Sequence, residues 1–489
     1  MLMKLRALFA PRHQRQLRNP APFAAELLEM RQLLTNYFVA PTGDDGNAGD
    51  INNPFVTIQH ALDNATAAGD SVNVRAGTYH EKVRFKASGN KTGGYITLKA
   101  YSGEQVNLDG TGINGQNMIL IRNKNYVNVI GLTILNNQNV TDGSGIRVLG
   151  YGTHIELRNN TIHDMRGENA MGITAYGRST SRTISHLVIH GNHIFNSDPA
   201  PSEALTVNGN VVNFRITNNR VHDVNNIGID VIGGERDINR NTKLVARHGV
   251  VRGNIVYRAR STYEDGFAAG IYVDGGRDIV IERNISYQND LGIEIGAENK
   301  GITTRRIIVR NNIVHHNDKV GIVFGGFAKN RGRVRDSHFH NNTIYKNDTL
   351  NTGNGQIWIQ YATNNTITNN IVQAGNNRIL VNVTRGSIQN TFDYNLWFNN
   401  GGKNKGIYEW KGRRLRGFTK YRQVAHEDMH SLFAAPQFVD AILDDFHIKH
   451  SSKAYNRGTS QRGRYARIDF DRIRRPQRGK VDIGAYEWH

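Results

Sequence analysis

An asparagine repeat in the middle of the chain constrains the fold more than any other sequence feature. Eight segments each read as a short alternating strand, an Asn at a turn and a second short strand. A unit of this size without a helix cannot bury its apolar side chains alone, so neighbouring units must stack. The repeated Asn residues are Asn160, Asn192, Asn219, Asn254, Asn284, Asn312, Asn342 and Asn370.

A second strand type fills the gaps between these segments and reads Gly-Ile-x-Val or a close variant. Because side chains alternate across a strand, the apolar positions point inward and the x position points outward. The predicted inward column contains Ile146, Ile173, Leu205, Ile229, Ile271, Ile293, Ile322 and Ile357. The predicted outward row, which we expect to face solvent, contains Arg147, Thr174, Thr206, Asp230, Tyr272, Glu294, Val323 and Trp358.

These patterns predict an all-β fold, a right-handed parallel β-helix with nine or ten coils between residues 120 and 400. The Asn residues should stack in a ladder that satisfies their buried amides. Three positions after each Asn stands a ring or polar residue. No two His residues are neighbours in that column, which favours a structural stack over a metal site. The column contains His163, Phe195, His222, Tyr257, Tyr287, His315, Tyr345 and Gln373.

The regions flanking this array differ from it in composition. Residues 1–36 are basic, and Leu28–Leu34 resembles a signature found near the N-terminus of some exported bacterial proteins. Residues 37–119 should form an N-terminal cap and the first coils, and residues 401–489 basic C-terminal coils. No apolar run approaches the roughly 18 residues of a membrane span. Because of the resemblance at Leu28–Leu34, we expect a location outside a bacterial cell or on its surface.

Charge and composition restrict the function classes. The net charge of +19 favours an acidic partner. The chain has no cysteine, which excludes disulfides, thiolate metal sites and cysteine nucleophiles. Nucleic acid, anionic lipid and an acidic polysaccharide all fit this charge, and the sequence has no nucleic-acid recognition motif that would favour the first. We expect a monomeric protein.

The ends of the predicted solenoid carry a family resemblance. Residues 53–62, 69–72 and 76–79 resemble the N-terminal cap of the pectate-lyase-like β-helix superfamily, with a capping helix near Ile58. Residues 436–440 and 481–488 resemble the C-terminal segment of its bacterial parallel-β-helix-repeat branch. The resemblance covers roughly residues 37–489. It implies a carbohydrate-active protein, because lyases and glycoside hydrolases both use this fold.

Acidic residues concentrate in the outward row where the repeat also lengthens. Asp230, Tyr272, Asp274 and Glu294 fall on three consecutive coils, with Glu298 just beyond. The interval between Ile229 and Ile271 is stretched by segments 235–248 and 258–267, and long loops on a regular scaffold often carry function. Beside the acids, these loops would supply Glu235, Asp237, Lys243, Arg247, His248 and Tyr263.

The sequence leaves three functions open. The resemblance implies β-elimination on a uronic-acid polysaccharide, with calcium held by Asp230, Asp274 and Glu294 and a base from Lys243, Arg247, His248 or Lys300. The outward row departs from that pattern because it has no Lys or Arg beside the acids. Glycoside hydrolysis by Asp274 and Glu294, assisted by Glu298, is the alternative. A non-catalytic carbohydrate-binding solenoid is the third, and in each case Tyr272, Arg247 and Trp358 would contact the sugar.

Overall fold

The computed structural model describes residues 35–113, 116–262, 266–461 and 463–489 as a right-handed parallel β-helix. The predicted export segment therefore lies almost entirely outside the described residues. Three long sheets run along the solenoid, with 16, 13 and 13 strands, and we call them sheets 1, 2 and 3. None of the helices in the described part of the chain has the length and hydrophobicity that crossing a membrane requires.

The strands of each sheet follow one another at the spacing of one coil. Sheet 1 contains Asn36–Val39, Ser71–Val74, Ile96–Ala100, Asn125–Ile130, Gly152–Arg158, Ile184–His190, Val211–Val212, Arg215–Thr217, Arg247–Arg252, Arg277–Glu282, Thr303–Arg310, Arg333–Arg335, His338–His340, Ala362–Thr363, Thr366–Thr368 and Thr391–Asp393. Sheet 2 contains Val83–Arg84, Asn117–Arg122, Gly143–Leu149, Ala170–Gly177, Leu205–Gly209, Ile229–Ile232, Ala269–Asp274, Leu291–Gly296, Val320–Gly325, Ile357–Gln360, Ile379–Val383, Ile407–Trp410 and Arg413–Arg416. Sheet 3 contains Gly77–Tyr79, Val106–Asp109, Thr133–Leu135, Thr161–His163, His193–Ser197, Arg220–Val224, Ile255–Ala259, Ile285–Tyr287, Ile313–His315, Thr343–Tyr345, Ile371–Gln373, Leu396–Phe398 and Leu432–Phe433.

The pairing register of sheet 2 confirms the predicted columns. Each residue of the inward column pairs with the next member on the following strand, from Ile146 to Ile357, and all eight are buried. The outward row is also continuous, from Arg147 to Trp358. A register slip of one residue would have exchanged the two faces, so the sequence pattern fixes which side chains leave the core.

The predicted asparagine ladder is present at one corner. Each side-chain amide donates to the carboxamide oxygen of the next Asn, at 3.0 Å for Asn160 to Asn192, and the ladder continues to Asn395. Each amide also donates to a backbone carbonyl, as Asn192 does to Leu157 at 2.9 Å. The buried amides are thus paired, and an unpaired one would cost about 1–3 kcal/mol.

The ring column is a stack, as predicted, over most of its length. Rings from His163 to His315 follow one another with centroids 4.5–5.3 Å apart. A second amide ladder, which the sequence analysis missed, joins Asn289 to Asn317 and Asn317 to Asn347 and ends on Gln356.

Both ends of the core and one face are covered by other parts of the chain. Helix α1 (Ile58–Asn64) buries Ile58, Ala61 and Leu62 over the N-terminal end, as the capping prediction requires. Helix α2 (Phe418–Ala425) packs Tyr421 on Tyr408 with ring centroids 4.1 Å apart, which closes the other end. The segment after residue 436, which includes strands Phe438–Asp440 and Asp445–Ile448, folds back over sheet 3, where Phe446 and Tyr486 join an apolar cluster. Sheets 1 and 2 keep faces that bear grooves.

Candidate functional site

The outward row of sheet 2 is covered, so the expectation that it faces solvent is wrong. Thr174 and Thr206 are fully buried, and Asp230, Tyr272 and Asp274 are each less than 5% exposed. The cover comes from segments between the coils. Tyr272 and Val323 in the row pack with Leu291 and partly buried Ile227 in an apolar cluster outside the main core.

Six carboxylic acids lie together on this face, and we call them the acidic cluster. Four are the predicted ones, Asp230 and Asp274 with Glu294 and Glu298. The other two are Glu235, predicted in the flanking loop, and Glu203. The charge of at least one other member raises the pKa of Glu203, Asp230, Glu235, Asp274 and Glu294. Like charges this close are unfavourable on adjacent strands, so the cluster requires an explanation beyond surface solubility.

The environment favours protonation of these acids. Burial raises the pKa of Glu294 well above its ordinary value, and the charges of Glu298 and Asp274 raise it further. Burial and the charge of Glu298 raise the pKa of Asp274, against a backbone hydrogen bond that lowers it. Burial and the charges of Glu203, Asp274 and Glu298 raise the pKa of Asp230. In the described part of the chain, none of Asp230, Asp274 and Glu294 has a Lys or Arg ion-pair partner.

Hydrogen bonds fix the position of Glu298 relative to its neighbours. The Tyr272 hydroxyl donates to Oε1 of Glu298 at 3.3 Å, and the backbone N–H of Glu298 donates to Oδ1 of Asp274 at 2.8 Å. The Tyr272 ring lies across Gly296, where a Cβ atom would come within 2.6 Å of the hydroxyl. Glycine at that position therefore lets Tyr272 reach Glu298. In the described ranges no protein donor reaches the carboxyl group of Glu294, so nothing comparable stabilises its ionised form.

A cleft of about 520 Å³ opens over the acidic cluster, and aromatic rings form its wall. Glu294, Glu298 and Tyr272 line it together with Phe267, Phe327 and Trp358. Phe267 and Phe327 are 47% and 54% exposed. Exposed rings beside carboxylic acids suit a sugar, whose apolar ring face stacks on aromatic side chains while its hydroxyls bind the acids.

The aromatic wall is held by a carboxylate outside the acidic cluster. Oδ2 of Asp290 accepts hydrogen bonds from the backbone N–H groups of Ser261 at 2.8 Å and Ala268 at 2.9 Å. These bonds fasten the segment that carries Phe267, and Nζ of Lys319 lies 4.1 Å from the centre of the Phe267 ring. Tyr263, which the sequence analysis placed in this loop, lies outside the described residues.

Two of the predicted basic residues, Arg247 and His248, lie on sheet 1 rather than beside the acidic cluster. Arg247 and His248 begin a strand of sheet 1, where the Arg247 guanidinium donates to Oδ1 of Asn210 at 3.1 Å. Lys243 is exposed in the loop before that strand, and Lys300 is exposed beyond Glu298. The loop that leaves sheet 2 after Ile232 enters sheet 1 at Arg247. Because Arg247 and His248 stand at this far end of the loop, they lie on a different sheet from the outward row.

The predicted calcium ligands have suitable donor atoms, although in the described part of the chain these atoms do not all lie within 4.8 Å of one another. Carboxylate oxygens are calcium ligands. However, the strand of Tyr272 separates those of Asp230 and Glu294, which places their Cα atoms roughly 9–10 Å apart. Among the described residues, one group of three side chains has possible ligand atoms within 4.8 Å of one another, and it is His315, His316 and Asp444 on sheet 3. Calcium stays a prediction, and these three acids do not form a prearranged site.

Glu203 is the residue of the acidic cluster that the sequence analysis missed, although the repeat pattern indicates its position. It stands two residues before the inward Leu205, as Ala269 and Leu291 stand before Ile271 and Ile293. That column lies on the covered outer face and carries apolar residues in neighbouring coils. An acid in an otherwise apolar column is the signal that would have identified it.

Comparisons with known proteins agree with the fold and give a relative of nearly full length. A family model described as a right handed beta helix region matches residues 204–342, and one described as a protein of unknown function matches residues 41–246. The chain is 36% identical over 434 residues to the uncharacterized protein YwoF of Bacillus subtilis (strain 168), covering 85% of this chain and 91% of that protein.

Two further similarities involve carbohydrate proteins. The pectate lyase PEL9 of Emericella nidulans is 26% identical over 178 residues, which cover 33% of this chain and 40% of that enzyme. A solved structure of XylC in complex with xylose superposes with a TM-score of 0.62 at 12% identity, covering 93% of this chain and 98% of XylC. At such identity the structural likeness concerns the fold.

Proposed function

We propose that this chain, which belongs with YwoF to the pectate-lyase-like right-handed β-helix superfamily, cleaves glycosidic bonds in the cleft over the acidic cluster. The observation that carries the proposal is the pairing of Glu294 and Glu298 in one aromatic-walled cleft. A carboxyl group whose pKa is raised, next to a second carboxyl group that accepts a hydrogen bond, is the pair of groups that a glycoside hydrolase uses.

Glu294 is assigned the role of general acid. Burial and two neighbouring negative charges hold its proton, and it lines the cleft where a leaving oxygen would lie. In the first step the Glu294 proton passes to the glycosidic oxygen as the bond to the anomeric carbon breaks. The leaving sugar departs as an alcohol, and Glu294 is left as a carboxylate.

Glu298 is assigned the role of the ionised partner. The hydrogen bond from the Tyr272 hydroxyl stabilises a negative charge on Oε1, and the exposed side chain is open to the cleft. Its carboxylate stabilises the positive charge that develops on the sugar, or activates the water that completes hydrolysis. Asp274 acts as a positioning residue, because its carboxylate holds the backbone N–H of Glu298.

The cleft suits a neutral stretch of glycan better than a polyuronate. Glu294 and Glu298 line the cleft, and the charge of each ionised acid repels a uronate carboxylate. The exposed rings of Phe267 and Phe327 offer stacking surfaces that need no charge on the sugar. The occurrence of xylose in the XylC complex on the same fold is compatible with this substrate class.

β-Elimination is the second candidate, and the similarity to PEL9 over 178 residues favours it. A lyase must remove the proton next to the uronate carboxylate and neutralise the resulting charge. If calcium were bound, it would supply that neutralising charge, with Asp274 and Glu294 as the oxygen donors nearest to the cleft. For both candidate reactions the proposal includes export of the protein from a bacterial cell.

A substrate panel separates the candidates. The purified chain is incubated with xylan, arabinan, galactan, polygalacturonate and alginate, with and without calcium or a chelator. Hydrolysis predicts new reducing ends without ultraviolet absorbance of unsaturated uronates, unaffected by chelation. Calcium-dependent absorbance on a uronate polymer would instead establish the lyase. Binding without product from any polymer would contradict both reactions and favour a non-catalytic solenoid.

A further inference from the structure

A groove lined by arginines lies on sheet 1, on a different face of the solenoid from the acidic cluster. It has a volume of about 710 Å³, and we call it the basic groove. The proposed hydrolysis uses none of its residues. Its charged and imidazole lining consists of Arg158, Arg215, Arg252, Arg283, Arg472, His190 and Glu156.

Five arginines in this groove face too few carboxylates. Arg158 pairs with Glu156 at 2.6 Å. Arg252 and Arg283 share the single buried Glu282 at 2.5 and 3.5 Å, and Arg310 outside the groove binds the same carboxylate. Arg215 and Arg472 are exposed and have no ion pair among the described residues. The groove therefore keeps a surplus of positive charge.

One of these arginines has an unused donor. Arg283 is only 8% exposed, and its Nη1 atom is buried without a hydrogen-bond partner in the described part of the chain. A buried guanidinium N–H without an acceptor is costly, and an anionic group in the groove would provide one. The positive surroundings are also felt by His190, because burial and then the charges of Arg158 and Arg215 lower its pKa.

The basic residues repeat along the solenoid axis. Arg158, His190, Thr217 and Arg252 are partners on successive strands, and Arg252 pairs with Glu282 on the next coil, where Arg283 follows in the chain. Neighbouring strands are about 4.8 Å apart. That spacing is close to the length of one pyranose unit in an extended polysaccharide, so a chain of charged sugars can follow the row in register.

We propose that the basic groove binds an anionic polysaccharide through the carboxylates of its uronic acid residues. Arginine is suited to carboxylates because its planar guanidinium binds both oxygens. Thr217 and Asn218 at the groove add hydroxyl and amide groups for sugar hydroxyls. Single-stranded nucleic acid is the less favoured polyanion, because the groove lining contains no Phe, Tyr or Trp on which bases stack. The groove then anchors the protein to a charged chain while the separate cleft acts on a neutral one.

Binding of polygalacturonate to the full chain tests the proposal, with dextran as the neutral reference. The double variant Arg215→Gln/Arg472→Gln removes two exposed arginines and leaves the Glu282 ion pairs in place. Arg413→Gln/Arg416→Gln removes the same charge from exposed positions of the C-terminal hairpin and is the matched control. We expect the groove variant to weaken polygalacturonate binding about tenfold and the control less than twofold, with no binding of dextran.

Two results would overturn the proposal. Equal losses in the groove and control variants would show attraction to net charge without a site. Tighter binding of single-stranded DNA of matched charge, weakened by the groove variant, would identify a nucleic-acid site instead. Polygalacturonate binding is measured without turnover, whereas hydrolysis is measured as new reducing ends in the substrate panel, so failure of the groove and failure of the proposed hydrolysis are distinguished.

Discussion

Glu282 on sheet 1 and Glu294 on sheet 2 have opposite electrostatic surroundings on the same solenoid. Glu282 is 1% exposed, and the charges of Arg310, Arg252 and Arg283 lower its pKa although burial alone raises it. Among the described residues Glu294 has no Lys or Arg ion-pair partner, and burial with two negative neighbours raises its pKa. The chain has 61 Lys and Arg residues, so this difference does not come from a shortage of basic side chains.

The difference indicates which acid is structural. Neutralising a buried carboxylate with arginines restores stability but removes the group from chemistry. Leaving a group of carboxyls without cations costs stability, and such costs are typical of active sites. The contrast therefore supports placing the reaction on sheet 2, and four substitutions test it, beginning with the largest expected effect.

Removing the proton donor should abolish turnover. Glu294→Gln keeps the size and polarity of the side chain but cannot donate a carboxyl proton, so we expect a loss in kcat of about 10²–10⁴-fold on the polysaccharide that responds in the panel. Glu156→Gln on the outer side of sheet 1 is the control and should retain wild-type kcat. Full activity of Glu294→Gln would place the chemistry elsewhere.

Removing one of the arginines that pair with Glu282 should leave this buried carboxylate with less compensating positive charge, as for the acids of sheet 2. Arg310→Gln should lower the free energy of unfolding by about 3 kcal/mol at pH 7, measured by urea denaturation, because a buried carboxylate loses a partner at 2.7 Å. The pKa of Glu282 is lowered in the folded protein, so this stabilisation is present at neutral pH and lost as the pH falls through that pKa. The variant and the wild type should therefore converge as the pH falls below the pKa of Glu282 in the folded protein. Arg305→Gln on the same strand serves as the reference, and a pH-independent difference would argue against an electrostatic cause.

Removing an acid from the cluster should stabilise the protein. Burial, and then the charges of Glu235 and Asp274, raise the pKa of Glu203 above 4.5, so its unfavourable contribution grows as the pH rises. Glu203→Gln should raise the free energy of unfolding by about 1 kcal/mol at pH 8 and have almost no effect at pH 4. The exposed Glu168→Gln should show no such trend. A destabilised Glu203→Gln at pH 8 would mean that a cation compensates the cluster.

Removing a ring from the cleft wall should weaken substrate binding modestly. Phe267→Ala should raise KM by about three- to tenfold with little change in kcat, because stacking on an exposed ring contributes about 1 kcal/mol to ground state and transition state alike. Phe267→Leu keeps apolar surface without the ring and should fall between the two. An unchanged KM in both variants would remove Phe267 from the binding site.

The sequence predicted the repeating part of the structure in detail because its periodicity is a physical requirement of stacking. The ladder from Asn160 to Asn370 and the column from Ile146 to Ile357 are confirmed for this reason. The outward position of Asp274 and Glu294 followed from the same alternation.

What the repeat does not encode was harder to predict. The burial of Asp230 depends on segments between coils, whose path has no period. For the same reason Arg247 and His248 were expected beside the acids, although their strand belongs to sheet 1. The covering of sheet 3 by the segment around Phe446 joins residues more than 100 positions apart, which no local pattern reveals.

The asparagine ladder also sets the unit in which such a protein can change its length. One residue added to the corner itself would displace an amide from the column, whereas the interval of 35 residues between Asn219 and Asn254 leaves the hydrogen bond between them intact at 3.0 Å. Extra residues therefore accumulate at the other corners, and whole coils are the quantity that can be gained or lost. The spacing of the coils along the axis is therefore constant, and exchanging one loop can change a cleft without changing that spacing.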